Sequence, residues 1–80
     1  MSKLPQIKAS ELLKILKREG FLIHTRRGSH ITLRHLRSKK RVTIPYHNGR
    51  NLKPGTLHNI ITHAGWTREE FLRLRKGSRK

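Results

Sequence analysis

The sequence predicts an α+β domain: a helix, a three-stranded antiparallel sheet, a second helix and a short third helix. Three observations predict it. Apolar residues recur at helical spacing toward both ends of the chain. In the middle they alternate with polar residues, period two, in three short runs. Those runs have only one apolar side, so the two main helices must pack together on that side of the sheet.

Residues 1–7 read as an N-terminal arm ending on Ile7. Residues 8–19, "KASELLKILKRE", read as the first helix, with Leu12, Leu13 and Leu16 as an apolar stripe and Ile7 and Ile15 at its flanks. Gly20 stops it. Its cap is ill defined, because Lys8 is a weak N-cap and Ser10 competes for the role. In the first strand Phe21, Ile23 and Thr25 share one face, and Leu22, His24 and Arg26 the other. "RGS" makes the turn. In the second strand, residues 30–35, Ile31, Leu33 and His35 face one way and His30, Thr32 and Arg34 the other. "LRSKK" is a basic turn into residues 41–46, where Val42, Ile44 and Tyr46 oppose Arg41 and Thr43. Pro45 has no N–H to give a ladder, so this strand is an edge or ends there.

"HNGRN" is a loop. Residues 54–64 form the second helix, with Pro54 in its first turn, Leu57, Ile60 and Ile61 inward and Gly65 as its stop. Thr67 and Glu70 have capping-box spacing and open a third helix, with Phe71 and Leu74 inward. Trp66 staples that helix to the body. Residues 75–80, "RKGSRK", read as a disordered basic tail. No repeat is visible, and residues 1–80 read as one domain.

Eighty residues allow only a modest core. The chain has no cysteine, which removes disulfides and thiolate metal sites and fits a reducing cytoplasm. "MSKLPQIKAS" has no long apolar run, so neither a secretory signal nor a membrane span is expected. Charge narrows the function most. Twenty Lys and Arg face four Asp and Glu, a formal charge of +16. Such a chain attracts polyanions, nucleic acid first. An anionic membrane is disfavoured, because no helix sets a continuous basic face against Trp or Phe anchors. Glu11, Glu19, Glu69 and Glu70, all in helical segments, are the whole acid content. Two-metal chemistry needs clustered carboxylates and glycosidase-like chemistry needs a facing pair, so both are disfavoured.

With the helices on one side, the other side of the sheet stays open. His24, Arg26, His30, Thr32, Arg34, Arg41 and Thr43 are expected to point there. On residues alone, His30 is either a surface histidine that holds phosphate or a titratable group with a chemical task. Several marks in order then resemble the HicA (YcfA-like) toxin family. They are "REGF" ending the first helix, the turn "RGSH", the strand "RVTIP", the segment "LKPGTLHNIITHAG" and the ending "TREEFLRL". Together they run from about Leu4 to Leu74. The resemblance implies a fold similar to the double-stranded RNA-binding domain, α-β-β-β-α. It also implies a type II toxin that cleaves messenger RNA in the cytoplasm with no metal or other cofactor. It implies a HicB-type antitoxin as partner and the histidine of the G-S-H turn, His30, as catalytic residue. Many relatives open the first helix with Ser or Thr; this chain has Lys8 and Ala9 there, a departure that concerns stability.

RNA brings its own nucleophile, the 2′-hydroxyl. Cleavage then needs a base, cations for the developing phosphorane charge and a proton for the leaving oxygen. Neutral imidazole at His30 can serve as that base. Arg26, Arg27, Ser29, Thr32, Arg34 and Arg41 are the expected RNA contacts around it. Lys53 and Thr56, at the start of the second helix, are expected to hold phosphate, although plain helix initiation explains Pro54 and Gly55 equally well. His24 is a possible second acid/base group. His58 and His63 are five apart and do not share a helix face. No Cys, Asp or nearby Glu completes a metal-ligand set. Aromatic platforms are scarce, so backbone contact should dominate RNA binding. The alternative is an RNA-binding module of the same fold that cuts nothing. A DNA-binding regulator is weaker still, since no helix-turn-helix spacing is present.

Overall fold

A computed structural model describes residues 4–47 and 49–77. The chain forms α1 (Ala9–Arg18), β1 (Phe21–Arg27), β2 (His30–His35), β3 (Arg41–Pro45), α2 (Pro54–Ala64) and α3 (Arg68–Gly77). The three strands make one antiparallel sheet in the order β1-β2-β3. This is the α+β arrangement expected, third helix included, although α3 is as long as α1 at 10 residues each.

Alternation in β2 and β3 does what period two requires. Ile31, Leu33, Val42 and Ile44 are buried, while the residues between them are exposed or half-buried. Their buried side meets Ala9, Leu12, Ile15 and Leu16 of α1 and Leu57, Ile60, Ile61 and Ala64 of α2 in one cluster. Among the described residues no polar or charged side chain is buried. The α1 stripe centres on Leu12, Ile15 and Leu16; Leu13 lies at its margin, half-buried, and Ile15, expected at a flank, is fully inside. Lys8 is the N-cap of α1 and makes no side-chain cap.

Phe71 of α3 is fully buried. Trp66 stacks on it at 6.5 Å between ring centres and meets Phe21 edge-on at 6.0 Å. The capping box forms in full: Thr67 N donates to Glu70 Oε1 at 2.9 Å, and Glu70 N donates to Thr67 Oγ1 at 3.1 Å. α3 continues through Gly77, so Arg75 and Lys76 are helical rather than part of a tail. The rest of the expected tail, residues 78–80, lies outside the described residues. The arm is likewise built in: Ile7 is buried, and its carbonyl accepts from Leu52 N at 2.8 Å. Asn51 Nδ2 adds a 3.2 Å bond to Gln6 Oε1.

One expectation about β1 is corrected. Unbroken alternation puts Arg26 on the open face, with Thr25 opposite it. In the structure Ile23 pairs with Leu33 but Thr25 pairs with Thr32, leaving His24 as the extra residue of a bulge. Beyond the bulge every side chain changes face. Thr25 and Arg27 therefore join the open side, and Arg26, opposite the buried Ile31, takes the parity of the covered side.

Candidate nucleic-acid interface

His30 is placed by its turn. Arg27 and His30 pair, and only Gly28 and Ser29 connect them. Gly28 has φ +53, whereas Ser29 is not among the residues with positive φ. Those signs match a type II′ turn, which favours glycine at its first central position. A Cβ at Gly28 would meet nothing within 4 Å, so backbone conformation alone demands the glycine. Ser29 O accepts from Tyr46 N, which ties the turn to the end of β3. His30 thus stands between Arg27 and Pro45 on the middle strand, with an exposed side chain.

The register lays out the open face in three rows. They are Arg27–His30–Pro45, Thr25–Thr32–Thr43 and Leu22–Arg34–Arg41. The Oγ1 atoms of Thr32 and Thr43 are 3.3 Å apart. Arg34 and Arg41 are direct cross-strand partners, and like charges placed this way disfavour the pairing. No acid answers them. Glu11 and Glu19 belong to α1 and its C-cap, Glu69 and Glu70 to α3. Glu11 pairs with Arg75 at 3.2 Å, and Glu70 is occupied in its cap. An anion laid across the sheet would relieve the Arg34–Arg41 repulsion.

At the His30 end, a cleft of about 300 Å³ lies between β3 and α2, with Pro45, His47, Arg50, Lys53 and Thr56 in its wall. Pro45 is His30's neighbour on β3, so the cleft borders the His30 row. α2 starts here with no side-chain cap on its first amides. Lys53 and Thr56 were expected beside phosphate. His47 and Arg50 join them from the loop that leads into α2. Their only signal was position, since a loop leading into a helix start shares that end of the fold.

Of the other expected residues, Ser29 sits in the turn half-buried, and Thr32, Arg34 and Arg41 share the open face with His30 and Arg27. Arg26 does not. His24 lies at the bulge, past the Thr25–Thr32 pair, and is not in the His30 row. His35 is committed to structure. Its Nδ1 accepts from Arg37 N and Ser38 N, each at 3.1 Å, and its Nε2 is 3.1 Å from Glu19 O. With Nδ1 accepting twice, Nε2 is the ring nitrogen that donates, to Glu19 O. No group of three His, Cys, Asp or Glu converges among the described residues. No described helix is long and apolar enough to cross a membrane.

This geometry can hold a phosphodiester chain over Arg27, Arg34, Arg41 and the threonine hydroxyls while offering one imidazole to a reacting group. A search of curated proteins found no match. Residues 9–66, from the start of α1 to Trp66, match a family model described as the HicA toxin of bacterial toxin–antitoxin systems, and they include the sheet, the His30 turn and α2. With that match over more than half of its length, the chain belongs to the HicA toxin family.

Proposed function

We propose that this chain is a metal-independent endoribonuclease that cleaves messenger RNA in the cytoplasm, and that a HicB-type antitoxin blocks it. The observation that carries the reading is His30: an exposed imidazole on an acid-free, cationic sheet face, directly opposite Arg27, in a member of a toxin family. His30 takes the proton of an RNA 2′-hydroxyl as the freed oxygen attacks the adjacent phosphorus. The P–O5′ bond breaks, the departing 5′ oxygen takes a proton from solvent water, and His30 returns the 2′-hydroxyl proton to solvent. The products are a 2′,3′-cyclic phosphate and a 5′-hydroxyl. Because the nucleophile belongs to the RNA, the step requires no metal-activated water. Arg27 stabilises charge on the phosphorane. Ser29, Thr32, Arg34, Arg41, Lys53 and Thr56 hold the backbone on either side. Arg26 contributes long-range charge from the sheet's other side.

Family membership implies an antitoxin partner. The +16 charge suits an acidic one. One observation favours a second reading, an RNA-binding module without activity: no second histidine shares the His30 row to protonate the leaving oxygen. Product analysis separates the two. The cyclic phosphate supports the nuclease, and RNA bound but left intact supports the module.

A further inference from the structure

Leu22, Ile23 and Leu36 are the large hydrophobic residues left exposed among the described residues, at 50, 42 and 67 %. They are not scattered. All three line one groove of about 290 Å³ at the end of the sheet away from His30. Leu22 and Ile23 belong to β1, an edge strand, and Leu36 follows β2, where its amide donates to Gly20 O at 3.4 Å. His24, Arg34, His35 and Lys39 complete the lining. Four positions of β2 separate His30 from Arg34, roughly 13 Å of strand.

We propose that this groove is a docking surface for an acidic protein segment that inserts aliphatic side chains between Leu22, Ile23 and Leu36. An apolar floor with a cationic rim asks for an apolar ligand carrying carboxylates. RNA answers only the rim. No Phe, Tyr or Trp lines the groove to stack a base, and the three aliphatic side chains would stay wet. A second copy of this chain brings +16 against +16, and it has no acid in its sheet to meet Arg34 or Lys39. A membrane surface lacks its aromatic anchors here. The edge position adds the unpaired backbone groups of β1, which a partner segment can also use.

The inference rests on the reading that the chain has an antitoxin partner, and it assigns part of that partner's footprint to a place distinct from His30. The test titrates a purified HicB-type antitoxin into wild type, L36S and L22S/L36S, by calorimetry. Each protein is also titrated with a 20-nucleotide RNA. Both leucines are exposed, so both variants should fold; melting by circular dichroism checks this, and L36S alone suffices if the double variant fails. The expected result is antitoxin binding weakened at least about tenfold in the double variant, with RNA binding within about twofold of wild type. Unchanged antitoxin affinity overturns the proposal. So does equal loss toward RNA, which would make the groove part of the RNA face. So does loss of self-association by ultracentrifugation, or loss of binding to phosphatidylserine vesicles, with antitoxin affinity intact. If wild type itself does not bind the antitoxin, the partner reading underneath fails instead.

Discussion

Arg27 stands directly across the ladder from His30, and only two residues connect them. The turn that makes the hairpin therefore also sets the cation beside the imidazole. Arg26, one residue earlier, faces the other side of the sheet opposite Ile31. The two arginines are adjacent in sequence and unequal in what they can reach.

That inequality is testable. Arg27→Ala should weaken binding of single-stranded RNA several-fold and flatten the salt dependence by about 0.7 in log–log slope, the share of one neutralised phosphate. Arg26→Ala should change both much less. Fluorescence anisotropy over a salt series with each variant measures the difference, and equal effects would contradict the assignment of the two arginines to opposite faces.

The turn should be as sensitive as its conformation suggests. Gly28→Ala puts a Cβ at φ +53, where space is free but the backbone is disfavoured. Unfolding in urea should show a loss of about 1–2 kcal/mol. RNA cleavage by the remaining folded protein should fall further than stability explains, because relaxing the turn moves His30.

His35 makes the opposite case. It is at the far end of β2, and its three hydrogen bonds tie the 36–39 turn to the end of α1. Phe21 meets its ring edge-on at 4.9 Å. His35→Ala hands two exposed backbone N–H groups to water and removes the bond to Glu19 O and the ring contact with Phe21, and it should cost about 0.5–1.5 kcal/mol in thermal or urea unfolding. Cleavage at a temperature where the variant is folded should be nearly unchanged. A loss of activity equal to that of His30→Ala would mean that His35 has a chemical role.

Much of the fold was legible because its marks are local. Pro54 and Gly65 bound α2, Thr67 and Glu70 cap α3, and the alternation of Ile31 and Leu33 with Thr32 and Arg34 assigns two faces. The bulge was not, for a reason in the turn. Taking "RGS" as a three-residue turn lets alternation run unbroken from Phe21 to Arg26. Gly28–Ser29 instead makes a two-residue turn, so Arg27 pairs with His30. Phe21 must still face the core with Ile31 and Leu33, and these two demands differ by one residue. The strand absorbs the difference at His24, and none of the residues from His24 to Arg27 is apolar and able to mark its face. The docking of Ile7 and Lys8 against Asn51 and Leu52 was hidden too, since two single residues far apart in sequence carry no period. Membership in the family was readable from ordered motifs around the same turn, and His30 stood out because the acids are all elsewhere.

The most direct measurement is the chemistry itself. Purified wild type and His30→Ala, both shown folded, are incubated with end-labelled RNA in excess chelator, and binding and product ends are read from the same samples. A His30 general base predicts that both bind, that only wild type cuts, and that its products end in a 2′,3′-cyclic phosphate and a 5′-hydroxyl. Cleavage by His30→Ala at the wild-type rate, or RNA bound and left whole by both proteins, would contradict it.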